Sequence, residues 1–226
     1  MNVRRLHGWE VNFQEAYEIQ RNLAQKISLE YPGFIINTVA GADISYSKRS
    51  TEVYAGVVLL KVPQFEILEQ VSYCTVVSFP YIPGLLSFRE APVLVETFQK
   101  LTNIPDMAIF DGHGIAHPRG CGLASHMGLI LDIPTIGCAK EMLVGRFDSV
   151  GEEIGNFSLI EFSNQQVGAA LRTKKNVKPI FVSPGHKMSL QKSIEIVLKT
   201  GKGYRLPEPI RLAHIFVNQI RSSHMH

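Results

Sequence analysis

The sequence predicts a mixed α/β fold, in which an antiparallel three-strand meander and a set of parallel strands share one central sheet flanked by helices. Three observations carry this. Segments 34–46, 53–62 and 65–78 are rich in apolar and β-branched residues. Their connections are too short for a parallel return, which needs a crossover of a dozen or more residues. Over 107–140 the order strand, helix, strand makes a right-handed parallel βαβ unit the default. Apolar residues also recur at helical spacing near both ends, as Ala16, Ile19, Leu23 and Ile27 and again as Leu212, Ile215, Phe216 and Ile220.

The elements follow in order. Asn12, with Glu15 three positions on, is close to a capping box and opens the first helix. The three meander strands come next, with Pro63-Gln64 as the turn between the second and third. Two prolines and Gly84 make 79–86 a rigid turn around Tyr81, suited either to packing on the surface or to stacking on a base. From Ser87 to Leu101 the chain reads as a helix, with Glu90 in its first turn, suited to the helix dipole or able to face the sheet, and Pro92 tolerated only near its start. Segment 107–110 is a short apolar run bounded by Pro105 and Gly112, as a buried central strand reads. A helix over 123–131 and a strand over 134–140 complete the parallel unit. An acidic, glycine-bearing loop spans 146–155, and a hairpin over 157–172 turns at Asn164-Gln165. Arg172, Lys174 and Lys175 form a basic cluster at its far end, either merely exposed or able to touch backbone phosphate. A strand over 180–186 and helices over 190–199 and 209–221 close the chain, and 222–226 is read as a tail.

Composition narrows the function classes. With 226 residues, 45% hydrophobic and 19% charged, the chain can bury a substantial core, and without linker, repeat or low-complexity tract residues 1–226 are expected to form one domain. A net charge of +3 permits nucleic-acid binding through local patches without requiring it. No apolar run is long enough to span a bilayer, and Arg4 and Arg5 are not followed by a signal-peptide core, so a cytoplasmic protein with no membrane partner is expected. Cys74, Cys121 and Cys138 are odd in number and contain no CxxC pair, which suits reduced thiols. A zinc site from Cys121 with His113, His117 or His126 is disfavoured, because the glycines and Pro118 deny that segment a regular ligand spacing.

The chemistry centres on Asp111. A carboxylate at the tip of a buried strand is costly unless something positive sits beside it. Asp111 is followed by Gly112, His113, Gly114 and His117-Pro118, which reads either as a capped turn with solvated histidines or as a metal- or substrate-binding loop. The second reading needs partner acids. Asp43 supplies one, interrupting an apolar strand where a core residue should stand. Lys140 ends the neighbouring parallel strand, so Asp111 and Lys140 are expected at adjacent carboxyl ends, where open α/β sheets place their ligands.

Taken together, Asp43, Pro80-Tyr81-Ile82-Pro83-Gly84, Phe88-Arg89-Glu90, Phe110-Asp111-Gly112, His117-Pro118, Ser125-His126, Ala139-Lys140, Val182-Ser183-Pro184-Gly185-His186 and Ala213-His214-Ile215 make the chain resemble the endonuclease V family. The resemblance implies an RNase H-like fold and a DNA-repair nuclease directed at deoxyinosine. Asp43, Glu90 and Asp111 would be metal-binding acids and His214 a further active-site member. Lys140 would contact the scissile phosphate or help orient the attacking water. Tyr81, within Pro80, Ile82 and Pro83, would fill the space left by a flipped nucleotide. The extruded hypoxanthine would rest on Gly84, Leu86, Gly112, Gly122 and Leu123, with His117 lining the same pocket. Mg²⁺, with Mn²⁺ as a substitute, would be the cofactor. The partner would be DNA containing deoxyinosine, or inosine-containing RNA, and the protein would act as a monomer. Cleavage would fall at the second phosphodiester on the 3′ side of the lesion, leaving 3′-hydroxyl and 5′-phosphate ends. A ribonuclease H-like hydrolase would keep the acids without needing the Tyr81 turn. His113 departs from many bacterial members, which carry an amide there, and this bears on substrate preference.

Overall fold

A computed structural model describes residues 1–47 and 51–224. The meander is β1 (Thr38–Tyr46), β2 (Glu52–Lys61) and β3 (Glu66–Val76), preceded by α1 (Phe13–Ala24). After α2 (Leu86–Gln99) come β4 (Met107–Phe110), α3 (Leu123–Leu131) and β5 (Thr135–Ala139). The hairpin β6 (Phe157–Phe162) and β7 (Gln165–Leu171), then β8 (Ile180–Pro184), α4 (Leu190–Lys199) and α5 (Glu208–Ser223), complete the chain.

All eight strands join one sheet in the order β3-β2-β1-β4-β5-β8-β7-β6. The meander pairs antiparallel throughout, while β1, β4 and β5 are parallel neighbours, as the connection lengths require. This is the mixed, RNase H-like architecture expected. Strand β4 shows how the sheet separates two cores. Ala108 and Phe110 point to one face among Val57, Phe98 and Met127, and Met107 and Ile109 point to the other among Ile136, Val182 and Ile210. Helices α2 and α3 cover the first face and α4 and α5 the second, so the central strands are buried on both sides.

Several local expectations change. The first and last meander strands are shorter than their apolar runs. Pro92 lies well inside α2, where it withholds the N–H that would reach the Phe88 carbonyl, and the helix continues past it, packed on β2, β3 and α3. Glu90 is not a first-turn acid facing the helix dipole. It is buried against the sheet. The packed stripe of α5 is Ile210, Ala213 and Val217, whereas Ile215 is exposed. On α1 the buried face is Ala16, Gln20 and Leu23, and Ile27 falls beyond the helix. The Asn12–Glu15 capping box is present in both directions. The hairpin turns at Ser163 and Asn164, both with positive φ, one residue earlier than the sequence suggests. In the proposed basic cluster, Arg172 is spent on the carbonyls of Val150, Gly151 and Val177, and Lys175 pairs with Glu153. Of the closing tail, Ser222 and Ser223 continue α5, while Met225 and His226 lie outside the described residues. Among the described residues no helix is long and apolar enough to cross a membrane.

One close approach sets the start of α5 against β1. A Cβ on Gly41 of β1 would stand 1.9 Å from the carbonyl oxygen of Pro209, so only glycine lets the start of α5 sit this near the sheet.

Candidate active site

Sheet topology brings the separated acids together. Ala42 pairs with Phe110, so the next residues, Asp43 on β1 and Asp111 just past β4, emerge side by side, and the Asp111 N–H reaches the Ala42 carbonyl at 3.4 Å. Lys140 follows β5, and its Nζ stands 2.6 Å from Asp111 Oδ2. From α5, His214 Nδ1 lies 2.7 Å from Asp43 Oδ2. Asn218 Nδ2 lies 3.3 Å from His214 Nε2, so a proton on Nδ1 satisfies both contacts of a neutral ring. Glu90 arrives from α2, and its Oε1 accepts from the Tyr46 hydroxyl at 2.7 Å.

Burial and neighbouring charge shift Asp43 and Glu90 in the same direction. Burial raises the Asp43 pKa, the charge of Asp111 raises it further, and the His214 hydrogen bond opposes the shift. Glu90 is pushed up to about 8, first by burial, with the Tyr46 bond opposing and the charges of Asp43 and Asp111 adding to the rise. Lys140 is held above its ordinary value by Asp111 although burial works against its charge. Among the described residues no three His, Cys, Asp or Glu side chains already converge as a metal-ligand set. Instead each acid turns an oxygen to its own partner: His214, Tyr46 or Lys140. The donors are nonetheless all carboxylate oxygens in mutual repulsion, a composition that suits a hard divalent cation. Asp43, Glu90 and Asp111 are the residues that could hold it.

Beside the acids lies a cavity of about 340 Å³. Asp111 and Lys140 form part of its wall, linking it to the acid cluster. The sequence-selected Tyr81, Ile82, Pro83, Gly84, Leu86, Gly112, His117, Gly122 and Leu123 all line it. Pro80 does not. It borders a separate groove with Trp9 and Phe13 on the other side of the turn. A tight turn closed by Leu85 N–H on the Ile82 carbonyl, with Gly84 at φ 78°, carries Tyr81 into solvent with 69% of its surface exposed. Other cavities, including one between Tyr31 and Lys199 near the opposite end of β1, do not border Asp111.

Several further residues near the site were given no role in the chemistry by the sequence. His113 lines the cavity with Nδ1 unpartnered, and burial lowers its pKa to about 4, so the ring is neutral. Arg89 lies over the Tyr46 ring and donates to the Phe79 carbonyl, tying the root of the Tyr81 turn to the partner of Glu90. Arg205 donates to the Lys140 carbonyl at 2.7 Å and to those of Lys178 and Pro179. Gln20 is wholly buried beneath Gly84. His113 and Arg89 stand within motifs already noted, whereas Gln20 and Arg205 belong to no local motif, and Gln20 lies off the apolar spacing read for the first helix.

Comparison with known proteins gives matches in both sequence and structure. The family model for endonuclease V matches residues 20–215. The endonuclease V of Kosmotoga olearia is 44% identical over 227 residues, covering 100% of this chain and 99% of that protein. The crystal structure of endonuclease V from Bacillus subtilis superposes with a TM-score of 0.94 at 33% identity, covering 100% of this chain and 99% of the other. Endonuclease V of Ciona intestinalis, in complex with a 24mer DNA containing an inosine followed by a ribo-adenosine, gives a TM-score of 0.84 at 30% identity, with 93% and 98% covered.

Proposed function

The chain belongs to the endonuclease V family of nucleases, and on that footing we propose that it is a Mg²⁺-dependent endonuclease acting on deoxyinosine in DNA. It flips the hypoxanthine nucleotide out of the stack and hydrolyses the second phosphodiester on its 3′ side, leaving a 3′-hydroxyl and a 5′-phosphate. The observation that carries this reading is the contact between Asp111 and Lys140, because it joins the acid cluster to the cavity beneath the exposed Tyr81.

Each side chain has a part in this reading. Asp43, Glu90 and Asp111 would hold Mg²⁺, or Mn²⁺ in its place, and the bound ion would neutralise phosphate charge and acidify water. His214 orients Asp43, while Lys140 brings a positive charge to the scissile phosphate. Tyr81 fills the gap left in the stack, and the cavity walls of Gly84, Leu86, Gly112, Gly122 and Leu123 test the extruded base. Flipping costs least at a mispaired base, which adds selectivity for the lesion. A phosphate-directed acid cluster fits nicking and not glycosidic cleavage.

The test is a nicking assay on an inosine duplex with and without Mg²⁺, with the cut mapped to the nucleotide. Asp43→Ala is expected to abolish nicking while binding persists. Full-rate nicking by Asp43→Ala would end the metal assignment. The complex formed by the Ciona protein contains a ribonucleotide after the inosine and favours a second reading, inosine-containing RNA as substrate. Parallel assays on deoxyinosine and inosine strands of the same sequence separate the two.

A further inference from the structure

From the contacts behind the cavity we infer that Gln20 and Arg119 are positioning residues that fix its Gly84 wall and thereby set lesion discrimination. The inference rests on the base-pocket reading above and assigns a part of it to residues that never touch the pocket. Gly84 is where the Tyr81 turn becomes the cavity wall. Its positive φ and missing side chain would leave this point soft. Three donors remove that freedom. Gln20 Nε2 reaches the Gly84 carbonyl at 3.0 Å, His117 Nε2 at 2.9 Å and an Arg119 terminal nitrogen at 2.6 Å. The backbone N–H of Arg119 donates to His117 Nδ1, which puts the ring proton on Nε2 and makes that contact a donated bond too.

The donors are themselves locked. Gln20 is 0% exposed, gives a second bond to the Cys121 carbonyl at 3.1 Å, and accepts from Arg119 Nε at 2.6 Å. The Arg119 guanidinium lies 4.3 Å from the Tyr17 ring centre. Helix α1 and the 117–119 turn therefore meet on one carbonyl oxygen, and Gln20 also ties that point to the Cys121 carbonyl before α3. That oxygen has two lone pairs and no acceptor capacity left for a base, so the Gly84 carbonyl is structural and cannot read the lesion. A binding site discriminates only while its walls hold position to about half an ångström. Releasing this carbonyl is thus expected to cost recognition of the correct base more than it costs the chemistry at the acids.

The full-length protein and two variants decide it. Gln20→Met keeps the volume and removes all three bonds. Arg119→Lys keeps the charge but cannot span Gln20 Oε1 and the Gly84 carbonyl together. It serves as the second variant because Arg119 is only half-buried. Single-turnover nicking and direct binding are measured on an inosine duplex and on the same duplex carrying guanine, with thermal unfolding alongside. Half-saturation on the inosine duplex should rise about tenfold in each variant, from the loss of buried hydrogen bonds. The maximal rate and the affinity for the guanine duplex should stay close to those of the parent protein. An unchanged inosine-to-guanine affinity ratio in both variants overturns the inference, as does a fall in maximal rate with that ratio intact. If the parent protein itself does not prefer inosine, the base-pocket reading fails and takes the inference with it.

Discussion

Glu90 offers the sharpest test of the acid cluster. Its carboxyl is 7% exposed, hydrogen-bonded to Tyr46, and held at about 8 against an ordinary 4.5 by burial and by Asp43 and Asp111. Between these values the native protein keeps the proton that the unfolded chain has lost. Its contribution to stability is therefore fully present below pH 4.5 and is lost as pH rises through about 8. At about 1.4 kcal/mol per pH unit, the loss is on the order of a few kcal/mol. Glu90→Gln removes this titration while keeping shape and an acceptor for Tyr46. In chelator, urea unfolding from pH 5 to pH 8.5 should show the parent protein losing stability relative to Glu90→Gln by that amount. Saturating Mg²⁺ at pH 8.5 should then stabilise the parent selectively, by about 2.7 kcal/mol at a hundred times the dissociation constant. Parallel pH curves for the two proteins would show that Glu90 titrates as an ordinary carboxyl and that the crowding argument is wrong.

Other perturbations address separate joints of the structure. Gly41→Ala drives a methyl into the Pro209 carbonyl and should cost about 3 kcal/mol, or roughly 6–12 °C in Tm, while pulling His214 from Asp43. A melting temperature within a degree of the parent would show that α5 can shift freely. Tyr81→Ala removes an exposed ring and no core contact, so Tm should stay unchanged while preference for inosine over normal duplex falls about tenfold. Equal preference would remove the ring from recognition. Arg205→Ala should slow nicking about tenfold through the Lys140 carbonyl and have no further effect in a Lys140→Ala background. Additive losses in the double variant would mean that Arg205 acts elsewhere.

The sequence by itself determined the order and type of the elements, because periodicity, turn residues and the Asn12–Glu15 cap are local signals. Short connections settled the meander's antiparallel pairing, and the Pro80–Gly84 run with the separated acids marked the family. That Asp43 and Asp111 emerge side by side was settled by the parallel pairing of β1 with β4, which the folded sheet supplies. Tertiary structure alone decided which partner each polar group takes. Glu90 reads locally as an acid that could serve the helix dipole or face the sheet, and it faces the sheet because α2 lies on the meander and Tyr46 meets it there. Arg172 reads as an exposed or phosphate-touching base but satisfies three loop carbonyls. Gln20 reads as an ordinary helix residue, yet it meets Gly84, Arg119 and Cys121 from 64 to 101 positions away. Hydrophobic patterning is written into neighbouring residues, whereas a buried hydrogen bond depends on the direction of two groups that only the finished packing brings within 3 Å.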